Sequence, residues 1–142
     1  MIFVDANILI YSVDRSNLHH ERAKIWLDEV LSGDTAVYLC WPVISAFIRI
    51  STNQHVFERP MSLHEAINRV QGWLDQPCVR IAIPTKNHWK VFLSFLITGQ
   101  ALGNIVMDAH IAALTVEYGC TLYSTDADFA RFKGLKWVNP LV

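Results

Sequence analysis

Short apolar runs alternate with amphipathic helical stripes along the whole chain. The first run, Ile2-Phe3-Val4, stops on Asp5 and passes at once into a helical pattern over residues 8–13. Further runs fall at 36–39, 79–83, 121–124 and 135–138. A continuous apolar run suits a parallel strand buried on both faces. Strands that alternate with helices predict an α/β fold: a mainly parallel, twisted sheet of about four or five strands with helices on both faces.

Between the runs, helix signals recur. Ala23, Trp26, Leu27, Val30 and Leu31 keep helical spacing, with Asn17 as a candidate cap and Gly33 as a stop. Pro42 fits the first turn of a helix showing Val43, Phe47 and Ile50 on one face. Ser62 and Glu65 make a capping box ahead of Ala66, Val70 and Trp73. Thr85 is expected to cap a helix striped with Trp89, Phe92, Leu93 and Leu96. Asp108 is expected to open another that runs to Tyr118, with Gly119 just beyond it. Residues 126–132 read as a short helical turn. With no repeat, low-complexity segment or linker, residues 1–142 read as one domain.

This topology places acids. Asp5 ends the first strand, and Asp126 lies just past the strand at 121–124. Asp108 begins the helix that feeds that strand, so it overlies the same carboxyl edge. That edge is where open α/β sheets bind ligands. Asp128, two residues beyond Asp126, reaches the same rim. Clustered carboxylates repel one another unless a cation is present. A hard divalent ion such as Mg²⁺ takes oxygen ligands, and metal-bound water attacks phosphorus. Helix capping accounts for each acid taken singly; their joint placement on one rim points to a metal.

Composition narrows the rest. The net charge of -1 gives no global field for nucleic acid, so such contacts would be local or bridged by cations. Cys40, Cys78 and Cys120 are odd in number and sit in apolar segments, which suits buried free thiols in a reducing compartment. The absence of zinc-type spacing argues against a zinc site. No signal peptide or apolar span is evident, which predicts a cytoplasmic protein without a membrane segment.

The segments Val4-Asp5-Ala6-Asn7, Phe47-Ile48-Arg49-Ile50-Ser51-Thr52, Gly103-Asn104 with Asp108-Ala109-His110-Ile111-Ala112-Ala113, and Ser124-Thr125-Asp126-Ala127-Asp128-Phe129 resemble, in order, a PIN-domain ribonuclease of the VapC toxin group. The ending Trp137-Val138-Asn139-Pro140 does too. The resemblance implies a PIN-like three-layer fold and the toxic component of a type II toxin–antitoxin system. It implies an endoribonuclease that uses Mg²⁺ or Mn²⁺, bound by Asp5 and Asp108 with Asp126 completing the set. It also implies a homodimer and a VapB-type antitoxin partner.

One position departs from the group's pattern. Many PIN domains carry a further acid where this chain has Ala46. That opens an alternative: a catalytically degenerate PIN-like domain that binds RNA or protein. A DNA nuclease with the same site is a third reading, because no residue here reads a 2′-hydroxyl.

Ser124 and Thr125 are candidates to hold a metal-bound water or to serve as turn residues. Asn7 and Asn104 are candidates to orient carboxylates or RNA, or to act as caps. Arg49, Arg131 and Lys133 are candidate RNA contacts, with Lys136 nearby; solvated charge is the plain alternative. His110 is two residues from Asp108, so on a helix the two do not face each other. Trp26, Trp73 and Trp89 fall on apolar stripes, which suggests packing in the core or a dimer.

Overall fold

The computed structural model describes residues 1–142. Five strands form one sheet: β1 (Ile2–Val4), β2 (Val37–Leu39), β3 (Val79–Ile81), β4 (Thr121–Tyr123) and β5 (Trp137–Val138). Their spatial order is β3-β2-β1-β4-β5, and every neighbouring pair is parallel. Six α-helices connect them: α1 (Ala6–Val13), α2 (His20–Leu31), α3 (Trp41–Ser51), α4 (Leu63–Leu74), α5 (His88–Thr98) and α6 (Ile105–Glu117). A 3₁₀ helix spans Ala127–Arg131.

The chain first winds outward from β1 through β2 to β3, then returns past β1 to β4 and β5. Right-handed crossovers therefore place α1–α4 on one face and α5–α6 on the other. The packing agrees: α1 lies against α2 and α3, α3 against α4, and α5 against α6. The direction of winding reverses between β1 and β4, and such a switch point opens a crevice at the carboxyl edge.

The three central strands, β2, β1 and β4, are the buried ones, whereas the edge strands β3 and β5 are half-buried or exposed. Phe3, Val4, Val37, Leu39 and Leu122 are almost fully buried, and Ile8, Leu9, Val43, Phe47 and Leu114 close over them. Burying a side chain of this size contributes about 1.5–3 kcal/mol. On α6 the buried stripe includes Ala109, Ala112 and Ala113. These short side chains let the helix lie close on the sheet.

Several boundaries differ from the sequence expectation. The third strand stops at Ile81 instead of reaching 83, although Ala82 N–H still donates to Leu39 O at 2.8 Å. The helices expected after Asn17 and Thr85 begin later, at His20 and His88. Asn17 Oδ1 and Thr85 Oγ1 instead accept from the N–H groups two residues on, closing local turns before each helix. The largest difference concerns Asp108. Helix α6 starts at Ile105, one turn earlier than expected, so Asp108 lies inside the first turn and caps nothing. Gly103, at φ 56°, makes the bend that lets Asn104 take the cap position.

Candidate active site

Asp5 leaves β1 at the switch point and caps α1, with Oδ1 accepting from Ala6 N–H at 2.8 Å. Its backbone N–H donates to Tyr123 O at 3.1 Å, which continues the ladder from β1 to β4. Its other oxygen, Oδ2, accepts from the Ser124 hydroxyl at 2.8 Å. Ser124 is fully buried and acts as a hub. Its Oγ accepts from Asn7 Nδ2 at 3.0 Å and from Asp126 N–H at 3.1 Å. Asn7 Oδ1 in turn accepts from Thr125 N–H at 3.4 Å. Residues more than a hundred positions apart are thus tied by side chains at one sheet edge.

Asp108, Asp126 and Asp128 complete the rim. Each offers a carboxylate oxygen lying within 4.8 Å of the others. Asp126 caps the 3₁₀ helix, with Oδ1 accepting from Asp128 N–H at 2.9 Å. Asp108 makes no such capping bond and is free to face the cluster. Asp5 is not one of this close set of three, although its charge acts on Asp108 and that of Asp126 acts on it. Its carboxyl is raised by burial, an effect its hydrogen bonds to Ser124 and Ala6 oppose and the charge of Asp126 reinforces. The Asp108 carboxyl is pushed up to about 7, first by burial and then by the charges of Asp126, Asp5 and Asp128, with Arg131 opposing.

A donor set made only of carboxylate oxygens suits a hard cation such as Mg²⁺ or Mn²⁺ and is ill-suited to zinc. The Asp108 carboxyl is raised first by burial, and the further push from Asp126, Asp5 and Asp128 is what a cation at this rim would relieve. Both observations fit a divalent metal. Cys40, beside Asp5, is no nucleophile here: burial and then the Asp5 charge push its thiol up to about 12.

The other sequence candidates scatter. Thr125 lies at the rim, with its N–H on Asn7. Asn104 holds the cap position of α6 without a side-chain capping bond. Arg49 is exposed in the last turn of α3, at the opposite end from the acids. Arg131 Nη1 donates to Gly99 O at 3.1 Å, and its other terminal nitrogen lies 3.8 Å from Asp128. Lys133 lines a groove opposite Lys90. Ala46 leaves α3 without any carboxylate.

Sequence reasoning missed one linked set. His110 turns away from the acids to meet His88 at 2.9 Å, and His88 meets the Glu117 carboxylate at 2.6 Å. Thr85 donates to the same carboxylate twice, from N–H and Oγ. The set clamps α5 to α6. His88 and Glu117 are 29 residues apart with no local pattern joining them, so nothing short of the fold reveals the pairing.

Comparison with known proteins gives this geometry a family. The PIN domain family matches residues 2–135. Ribonuclease VapC37 of Mycobacterium tuberculosis is 39% identical over 140 residues, covering 99% of this chain and 97% of that protein. Ribonuclease VapC33 of the same species is 35% identical over 141 residues, covering 99% of both. The crystal structure of M. tuberculosis VapC20, described as a sarcin-ricin loop cleaving toxin, superposes with a TM-score of 0.68 at 18% identity, over 92% of this chain and 93% of that one. VapBC2 of Rickettsia felis, bound to a DNA fragment from its promoter, gives 0.68 at 17% identity over 98% of both chains. The structural likenesses speak to fold alone. The match over residues 2–135 and the full-length relatives settle membership: the chain belongs to the PIN-domain family, within its VapC group.

Proposed function

We propose that this protein is the toxin of a type II toxin–antitoxin pair, a metal-dependent endoribonuclease that cleaves RNA phosphodiester bonds. The observation that carries this reading is the meeting of Asp108, Asp126 and Asp128 within 4.8 Å at the switch point, with Asp5 coupled to Asp108 and Asp126 through its charge. Relatives 39% and 35% identical over nearly their whole length are named ribonucleases.

Asp5, Asp108 and Asp126 are the proposed ligands of Mg²⁺ or Mn²⁺, with Asp128 as a further oxygen donor. When bound, the cation supplies an activated water and neutralises charge at phosphorus. The chain's own residues do the rest. Ser124 and the Ala6 N–H fix the Asp5 carboxylate in one orientation. Asn7 holds the Ser124 hydroxyl, and Asp126 N–H holds it from the other side. The Asp126 carboxylate is steadied by Asp128 N–H. Because α3 bears no acid, this set has to work without the carboxylate that other PIN domains carry at the Ala46 position.

The partners follow the same reading. The structural neighbours include VapBC and FitAB assemblies, which favours a VapB-type antitoxin that covers the site. Trp89, Leu93 and Ile97 form an exposed apolar stripe on α5, which favours a homodimer across that face. No helix is long and apolar enough to cross a membrane. We place the protein in the cytoplasm, acting as a single PIN domain over residues 1–142.

Sequencing RNA ends after expression of the wild type, Asp5→Ala and Asp108→Ala tests the proposal. New ends and growth arrest are expected from the wild type alone. A folded Asp5→Ala protein that remains fully toxic would remove Asp5 from the site. Calorimetric titration with Mn²⁺ separates the enzyme from a degenerate binding module, which would take up no metal at millimolar concentration.

A further inference from the structure

The basic residues of this chain are not spread evenly. Four of the five lysines fall in two short segments: Lys86 and Lys90 around the start of α5, and Lys133 and Lys136 after the 3₁₀ helix. These segments lie in long stretches free of carboxylates. No Asp or Glu occurs from Gln76 to Met107, nor from Phe129 to Val142. A chain of net charge -1 therefore carries a local field of the opposite sign.

The fold brings the two segments together around a groove of about 460 Å³. Lys90, Val91 and Ser94 line it from α5, with Asn87 just before that helix, and Lys133 and Gly134 line it from the other side. All four lysines are exposed. The walls are braced: Phe95 packs on Phe132 with ring centroids 5.4 Å apart, and Arg131 Nη1 donates to Gly99 O. The acid closest in sequence to the lining residue Val116 is Glu117. It stays ionised, and its carboxylate is turned to His88 and Thr85, which hold both of its oxygens. The groove face of α5 is also distinct from its apolar stripe. Trp89, Leu93 and Ile97 recur every four residues on one side, and the groove residues occupy another.

One structural link ties the groove to the acids. The 3₁₀ helix that Asp126 caps ends at Arg131, and Lys133 follows two residues later. A single short element thus carries the acidic rim at one end and the basic wall at the other. We propose that the Lys90–Lys133 groove binds the phosphodiester backbone of RNA some nucleotides away from the bond being cut, as a sequence-independent exosite; its lining residue Val116 lies eight residues along α6 from Asp108, about 12 Å at the helical rise. The site suits this ligand because paired lysines and polar Asn87 and Ser94 contact phosphate and sugar without reading bases. The inference rests on RNA as substrate. It supplies the attraction that the acidic rim lacks.

The test measures binding by fluorescence anisotropy of a labelled oligouridylate, in an Asp108→Asn background that prevents cleavage. Lys90→Ala/Lys133→Ala is compared with its parent across a series of salt concentrations. Each lost phosphate contact lowers the salt slope by about 0.7 for single strands, so the double variant is expected to lose about 1.4. Lys90→Arg/Lys133→Arg restores the slope, and Lys24→Ala, on α2, leaves it unchanged. In the otherwise wild-type enzyme, the double alanine variant raises KM for long RNA, with kcat and turnover of a dinucleotide unchanged. An unchanged slope overturns the proposal, as does a loss matched by Lys24→Ala. Lysine-dependent binding of poly-glutamate without lysine-dependent binding of RNA overturns it in favour of an acidic protein segment. If the slope falls as expected but the wild type cuts no RNA, the exosite stands and the nuclease reading fails.

Discussion

Replacing Asp108 with Asn is expected to stabilise the metal-free protein while destroying its activity. In the folded chain the Asp108 carboxyl is pushed up to about 7, whereas a free aspartate titrates near 3.8. At about 1.4 kcal/mol per tenfold, that difference sets a ceiling of about 4 kcal/mol for ionising the group in place. Asp108 is only partly buried, and water and salt screen its neighbours, so about 1–2 kcal/mol is the working figure.

The sign follows from which state holds the proton. The folded pKa is raised, so the native protein keeps a proton that the unfolded chain has released. Wild-type stability therefore falls as pH rises from about 4 to about 7 and levels off above that. The Asn variant lacks this fall. Thermal melts in EDTA should show the variant higher by about 3–6 °C at pH 8, with the gap closing towards pH 4. Adding Mg²⁺ should raise the wild-type midpoint and leave the variant unmoved. A variant less stable than wild type at pH 8 without metal would refute the account, as would a gain of equal size at every pH.

Two further substitutions probe the scaffold around the site. Ser124→Ala removes the donor to Asp5 and the acceptor for Asn7 and Asp126 N–H. It should cost about 1–3 kcal/mol in urea unfolding and weaken Mn²⁺ binding in calorimetry; normal metal affinity would count against the hub. Gly99→Ala would set a Cβ 2.6 Å from the Phe132 ring and 2.7 Å from Phe95 O. Backbone and a packed ring cannot yield cheaply, so the expected loss is about 1–3 kcal/mol, read as a lower urea midpoint. An unchanged midpoint would mean that the α5 end is looser than it looks.

Local pattern settled the architecture. Apolar runs of strand length, the helical stripes between them and the fixed hand of the crossovers were sufficient to predict a parallel sheet with Asp5 and Asp126 on its carboxyl edge. Those properties are periodic and short-range, so they can be read residue by residue. What only the tertiary structure decided depends on side chains that meet across the chain. Capping bonds hold Asp5 and Asp126, but Asp108 sits a turn inside α6 and stays free. Asp128 joins the rim, and Arg49 falls at the end of α3 away from the acids. Ser124 is more than a turn residue, because its hydroxyl spans from β4 to Asp5. Lys90 and Lys133 share a groove only after α5 packs beside the C-terminal segment. No local propensity encodes these pairings: each is set by how two distant backbones come to rest against one core.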